Sequence, residues 1–325
     1  MAKILLTQTL CLSGMELLRL RGERDVVVVN SGDPADFYPE LETADAIIIR
    51  VGRMDERAFE RAKNLKVVAR TGVGYDSIDI AAANARGIPV VVTPGAVEHS
   101  VAEHTLTLFL ALSKNLLEND RELKRGNWGI RNAGKGIELR GKKIGFVGYG
   151  RTGRLTARLF EALGVEILAY DPHLSADQIR SAGAGAAARI EDIFLECDMI
   201  SVHVPLLDET RGMIDARLIG LMRETAFLVN CSRGGIVDER ALADALNQGK
   251  IAGAGSDVFA GEPPAADNPL LGARNALLTP HVAGVTRESS AAAARMAVEG
   301  CLEVLAGLKY QLIANPQAYD HPRWK

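Results

Sequence analysis

The sequence is poor in features that several kinds of protein depend on. Its four cysteines, Cys11, Cys197, Cys231 and Cys301, stand far apart with no CxxC or CxxH spacing. That pattern argues against a disulfide framework or a cysteine–histidine metal site, and it sets a reducing compartment as the expectation. No apolar run approaches the ~20 residues that a membrane-spanning helix needs. No block of lysine and arginine stands out against a net charge of −3, so neither a nucleic acid nor a membrane surface is an expected partner. The opening MAKILLTQTL lacks a basic segment followed by a long apolar core, so no signal peptide is expected. These absences set the expectation of a soluble, cytoplasmic protein without a metal site.

What is present is alternation. The 325 residues exceed what one core usually supports, which predicts two domains. Strand-like apolar runs cover Lys3 to Leu6, Val26 to Val29, Ala46 to Ile49, Val67 to Ala69 and Ile88 to Val92. Helix-like stretches fall between them, among them Ser13 to Leu20, with Ser13 as a candidate N-cap, and Asp55 to Lys63. Val101 to Lys124 has no Gly or Pro and reads as one long, largely apolar helix crossing into a second domain, followed by an arm or loop over residues 125–142. A second series of runs follows at Ile144 to Val147, Glu166 to Tyr170, Met199 to Val204, Ala226 to Asn230, Ile251 to Val258 and Ala276 to Thr279. Ser289 to Leu305 is alanine-rich and helical. Strand–helix alternation of this kind predicts parallel βαβ units, an α/β fold.

The most informative stretch runs from Lys143 to Asp171. A strand-like run leads into Gly148-Tyr149-Gly150-Arg151-Thr152-Gly153, a GxGxxG turn opening a helix; a second strand-like run then ends on Asp171, 18 residues beyond Gly153. Gly148 suits a tight turn, Gly150 lets the backbone approach a pyrophosphate, and Gly153 lets the helix lie against the strand. The helix N-terminus offers N–H groups and partial positive charge to phosphates. Asp171 is placed to accept from ribose hydroxyls and to repel a 2′-phosphate, which favours NAD over NADP, although His173 lies close by.

Ligands of an open parallel sheet bind beyond the carboxyl ends of its strands. The polar residues that follow strand-like runs are His203-Val204-Pro205, the stretch Asn230 to Gly235, Asp257, and Thr279-Pro280-His281. Together with Arg70 to Gly74, Ser100 to Glu103, Asn230 to Glu239, Asp257 to Pro263 and Thr279 to Gly284, they make the chain resemble the NAD-dependent D-2-hydroxyacid dehydrogenases over nearly its whole length. The resemblance implies a Rossmann cofactor domain, residues 99–287, inserted in a flavodoxin-like substrate domain, residues 1–98 and 288–325. Both would be doubly wound parallel sheets.

It further implies a catalytic trio of Arg233, Glu262 and His281. An imidazole with a reference pKa of ~6.5 suits proton exchange with a hydroxyl near neutral pH. The carboxylate of Glu262 would favour the imidazolium and fix the ring, and Arg233 would hold the substrate carboxylate. The implied cofactor shell is Gly148, Gly150, Arg151, Thr152, Gly153, Asp171, Pro205, Thr210, Cys231, Ser232, Asp257 and Gly284, with Thr105 near the nicotinamide. Backbone N–H groups around Val73 and Gly74 would grip the substrate. Arg50, Arg70 and Arg131 match positions that bind phosphate in 3-phosphoglycerate dehydrogenases, so 3-phosphoglycerate is the favoured substrate. Alternatives are a hydroxypyruvate or glyoxylate reductase, a phosphite dehydrogenase, or a corepressor-like NAD-binding protein. Glu262 argues against formate, since formate enzymes carry Gln there. A homodimer built by the long helix and the following arm is implied. The chain ends soon after the Ser289–Leu305 helix, so feedback through an appended regulatory domain is not expected.

Overall fold

The structure is a computed structural model that describes residues 2–20 and 25–325. The chain forms two compact units, one from residues 1–97 and 285–325, the other from residues 98–284.

In the first unit the strands are β1 (Lys3–Leu6), β2 (Asp25–Val28), β3 (Ala46–Ile49), β4 (Val67–Arg70) and β5 (Val90–Val91). They pair in parallel in the order β2-β1-β3-β4-β5, the flavodoxin-like arrangement. Successive residues of a strand point to opposite faces, and both faces here are apolar. Leu5, Ile47, Ile49 and Val68 build one core layer; Ile4, Leu6, Ile48, Val67 and Ala69 build the other, against the helix Arg287–Leu305. Burial on both sides explains why these strands read as continuous apolar runs with no alternation.

The second unit holds β6 (Lys143–Val147), β7 (Glu166–Tyr170), β8 (Gly185–Ala186), β9 (Met199–Val202), β10 (Phe227–Asn230), β11 (Gly253–Ser256) and β12 (Ala276–Leu278). Their order is β12-β11-β10-β9-β6-β7-β8. That is the dinucleotide-binding order with one further strand at the edge, and its reversal between β6 and β9 marks where ligands bind. Val147, Ile200, Val202 and Leu228 pack on one face; Ile144, Phe146, Met199 and Val229 pack on the other. The chain is therefore two doubly wound parallel sheets, with the second unit inserted in the sequence of the first.

Three local expectations need correction. The stretch from Val101 to Lys124 is two helices, Glu98–Ser113 and Leu116–Lys124. They are separated at Asn115, whose φ of 49° and ψ of 39° are left-handed. Asn is among the few side chains that adopt this conformation routinely, so a break needs neither Gly nor Pro. The first helix opens at Leu12, so Ser13 lies inside it and is not its N-cap; the Ser13 hydroxyl pairs with the Cys11 sulfur at 3.3 Å. Finally, residues 125–142 contain a 3₁₀ helix, Trp128–Ala133.

Candidate active site

All the ladders of the second sheet are parallel. The segments that follow β6, β7, β9, β10, β11 and β12 therefore emerge at one edge, and every site residue predicted in this unit except Thr105 and Arg131 lies in or beside them.

The turn after β6 has the anatomy its sequence promised. Gly148 has φ 90°, and a Cβ there would come within 2.6 Å of the His203 carbonyl oxygen. A Cβ on Gly153 would come within 2.8 Å of the Gly148 carbonyl oxygen, whereas one on Gly150 would meet nothing within 4 Å. The middle glycine thus faces open space, as an approaching pyrophosphate requires. Helix Arg151–Glu161 starts after Gly150 with no side chain capping it, so its first N–H groups keep their capacity for an anion. At the tip of β7, Asp171 accepts from the Tyr149 N–H through Oδ2 at 2.9 Å and from the His173 N–H through Oδ1 at 2.9 Å. Both bonds fix the carboxylate beside the turn and leave lone pairs for further donors. The residues present fit a dinucleotide.

His203 proves structural. Its ring stacks on Phe146 with centroids 5.6 Å apart, and Nε2 lies 2.8 Å from the Ser201 hydroxyl. Burial pushes its pKa down to about 4. A histidine that must stay neutral when folded is protonated first in the unfolded chain, so stability is lost as pH falls from ~6.5, the unfolded value, towards the folded one. His203→Asn is expected to flatten this acid loss by up to ~1.4 kcal/mol per pH unit. Urea unfolding of both proteins at about pH 7 and about pH 5 checks it; parallel losses would show that the ring does not carry the effect.

The loop after β10 presents Arg233. Asn230, 3 % exposed, accepts from both the N–H and the hydroxyl of Ser232 at 3.0 Å and donates from Nδ2 to the Arg233 carbonyl at 2.9 Å. Cys231 is buried, and burial pushes its thiol up to about 12. That environment argues against a nucleophilic role. Gly234 sits so close to the next loop that a Cβ would lie 1.9 Å from the Phe259 carbonyl carbon. Glu239, which opens the helix Glu239–Asn247, accepts from two groups of that next loop, the Ala260 N–H at 2.6 Å and Asn268 Nδ2 at 2.7 Å, while Glu262 Oε1 accepts from the Phe259 N–H at 3.1 Å.

Glu262 Oε2 lies 2.6 Å from His281 Nδ1, and the two side chains are 37 % and 44 % exposed. Burial tends to raise the Glu262 pKa, but the hydrogen bond and charge of His281, the Phe259 N–H and the Arg233 charge outweigh it and hold the carboxyl below its ordinary value. An ionised carboxylate only accepts, so Nδ1 carries the proton and Nε2 is the nitrogen available for exchange. His281 has a left-handed backbone, φ 53°. Such a conformation persists in a non-glycine residue only where the surroundings impose it, and Asp257 does so here. The Asp257 carbonyl accepts from the His281 N–H at 2.8 Å. Its carboxylate accepts from the Val282 N–H at 2.9 Å, the Ala283 N–H at 2.8 Å and the Thr279 hydroxyl at 2.5 Å. Asp257 is therefore a builder of the histidine turn. Thr210 likewise closes its own loop, donating to the Pro205 carbonyl at 2.6 Å and accepting from the Leu207 N–H at 2.8 Å.

The predicted substrate residues divide between the units. Arg50, Arg70, Val73 and Gly74 belong to the first; Arg131 belongs to the second, where its guanidinium lies 5.7 Å from the Trp128 ring centroid. Arg70 donates to the Gly74 carbonyl at 3.0 Å and to the Arg50 carbonyl, so it shapes the Val73–Gly74 turn. The Thr93 N–H donates to the Gly72 carbonyl at 3.1 Å. In the same unit, Gln8, Thr71, Ser77 and Thr93 each have a buried side-chain oxygen with no partner among the described residues. Buried polar atoms are nearly always paired, and of these four only Thr71 lies in a stretch that the sequence singled out. Among the described residues no group of His, Cys, Asp and Glu could hold a metal ion, and no helix is long and apolar enough to cross a membrane.

Comparison with known proteins agrees with this geometry. A family model described as D-isomer specific 2-hydroxyacid dehydrogenase, NAD binding domain, matches residues 106–283. The chain is 39% identical over 316 residues to D-3-phosphoglycerate dehydrogenase of Methanocaldococcus jannaschii, covering 97% of this chain and 60% of that protein. It is 37% identical over 314 residues to the enzyme of the same name from Archaeoglobus fulgidus, covering 96% and 59%. It thus spans about three-fifths of the length of these curated relatives. A crystal structure of a protein from Thermus thermophilus superposes with a TM-score of 0.88 at 32% identity, covering 96% of this chain and 99% of that one. With the strand order, the Gly-rich turn and the histidine–glutamate pair, these matches settle the kinship: the chain belongs to the D-isomer specific 2-hydroxyacid dehydrogenase family.

Proposed function

We propose that this protein is an NAD-dependent oxidoreductase that interconverts a D-2-hydroxy acid and its 2-keto acid, with D-3-phosphoglycerate as the preferred substrate. The observation that carries the reading is the 2.6 Å His281–Glu262 contact, on the same sheet edge as the Gly148–Gly153 turn and Asp171. NAD, when bound, supplies the acceptor for the hydride. Gly148, Gly150, Arg151, Thr152 and Gly153 would hold its pyrophosphate and Asp171 its ribose; Thr105, Pro205, Thr210, Cys231, Ser232, Asp257 and Gly284 would complete the shell. His281 takes the hydroxyl proton at Nε2, and Glu262 stabilises the imidazolium that results. Arg233 pairs with the substrate carboxylate and fixes the face that the reacting carbon presents.

The substrate assignment rests on the relatives' names and on the first unit. Arg50 follows β3, and Arg70 ends the adjacent strand β4. Because Arg70 holds the Val73–Gly74 turn, Arg50 is the cleaner probe of a phosphate. Arg50→Ala is expected to lower kcat/KM for D-3-phosphoglycerate by on the order of 10- to 100-fold, the worth of one charge-assisted hydrogen bond. Glyoxylate reduction should change by no more than about twofold, since no phosphate contact is lost. If Arg50→Ala and Arg70→Ala both leave the phosphoglycerate value unchanged, the phosphate assignment is wrong. In the same reading the protein is a cytoplasmic homodimer. Leu116, Leu117, Leu123 and Trp128 are 57 %, 56 %, 53 % and 66 % exposed on the Leu116–Lys124 helix and the turn after it, the kind of apolar surface a partner covers. Light scattering reports on that directly.

A further inference from the structure

We infer that His104 is a positioning residue for His281, acting through Thr279 and Asp257. It lies on the helix Glu98–Ser113, directly after the Ser100–Glu103 stretch and 175 residues before Thr279. Its Nε2 is 3.0 Å from the Thr279 hydroxyl and 3.7 Å from Asp257 Oδ1. The direction of each bond follows from chemistry. Thr279 Oγ1 lies 2.5 Å from Asp257 Oδ1, and a carboxylate can only accept, so the single hydroxyl hydrogen goes to Asp257. The hydroxyl oxygen must then accept from His104, whose Nε2 carries a hydrogen. The relay continues into the backbone. Asp257 Oδ1 also accepts from the Val282 N–H, Oδ2 from the Ala283 N–H, and the Asp257 carbonyl from the His281 N–H.

One donor on the helix thus sets the Thr279 hydroxyl, which helps to hold the carboxylate that imposes the left-handed backbone of His281. Without it, Thr279 loses its donor and is free to rotate away from Asp257, and the turn loses part of what keeps His281 Nδ1 against Glu262.

The consequence for turnover rests on the proposed dehydrogenase activity; the structural consequence does not. His104→Leu is expected to lower kcat for keto-acid reduction by on the order of 10- to 100-fold, the scale of a misplaced catalytic group, with KM changed by less than about threefold. His104→Gln, which keeps a donor, should restore at least half of the logarithmic loss. Thr279→Val should match His104→Leu, and the double variant should lose no more than either alone. In the protein without cofactor, the Val282 and Ala283 amides should exchange about 10-fold faster in His104→Leu than in wild type. Three results overturn the inference: kcat and amide exchange both unchanged, no rescue by Gln, or additive losses in the double variant. If wild type reduces no keto acid, the dehydrogenase reading fails, and the amide exchange of His104→Leu and His104→Gln still decides whether His104 positions the turn.

Discussion

His281→Asn is expected to lower kcat for keto-acid reduction by about 10²–10⁴-fold, the usual contribution of a positioned general acid–base, while NADH affinity stays within a few-fold of wild type. The imidazole has one nitrogen committed and one available: Nδ1 meets Glu262 Oε2 at 2.6 Å, which leaves Nε2 to give or take the proton. Asn keeps a polar group of similar reach but no titratable nitrogen. The proton must then come from water, and the loss should fall on kcat with little effect on binding. Steady-state kinetics together with NADH fluorescence titration separate the two. A variant that loses NADH binding as much as turnover would point to a structural role for the ring instead.

Gly234→Ala should be nearly as damaging for a different reason. The added Cβ would sit 1.9 Å from the Phe259 carbonyl carbon and oxygen and 2.5 Å from the Ala260 nitrogen. These are backbone atoms, and they cannot swing aside as a side chain would. The Ala260 N–H is bonded to Glu239 and the Phe259 N–H to Glu262, so relief requires separating the loop that bears Arg233 from the loop that bears Glu262. Overpacking at a well-filled site costs ~1–3 kcal/mol and sometimes more, which lowers Tm by roughly 2–4 °C per kcal/mol in a protein with domains of this size. Displacing Arg233 and Glu262 by even ~1 Å adds about a 100-fold loss of kcat/KM. Gly261→Ala is the control, because a Cβ there meets nothing within 4 Å. Its stability should stay within about 0.5 kcal/mol of wild type. Calorimetry and kinetics on the pair distinguish a specific clash from a general intolerance of the loop.

Much of this site was legible in the sequence because its signals are local. The spacing of Gly148, Gly150 and Gly153 dictates a turn whatever surrounds it, and the run from Glu166 to Tyr170 coincides with a strand because it is apolar and bounded. Arg233, Glu262 and His281 were singled out through the motifs that contain them, and the fold sets Glu262 Oε2 against His281 Nδ1. What escaped were relations between distant segments. The bond from His104 to Thr279 spans 175 residues, and the Ser100–Glu103 stretch beside His104 gives no sign of that partner. The contact that forbids a side chain at Gly234 comes from Phe259, and the second role of Asp257 depends on the turn beyond β12. That the side-chain oxygens of Gln8, Thr71, Ser77 and Thr93 are buried without partners follows from tertiary packing, which no local pattern encodes. The break at Asn115 was missed because a left-handed Asn leaves no trace in hydrophobic periodicity. Helix Pro34–Leu41 was missed where Pro39 lies inside it, against the usual reading of proline as a helix breaker.

The proposed oxidation of D-2-hydroxy acids with NAD is read out most simply as NADH formation by the wild-type protein. D-3-phosphoglycerate, D-glycerate and D-lactate, each with its L enantiomer, would be offered with NAD and then with NADP. The expected result is reduction of NAD by D enantiomers alone, fastest with D-3-phosphoglycerate, and little or none of NADP. No NADH from any D acid, or equal rates with both enantiomers, would contradict it.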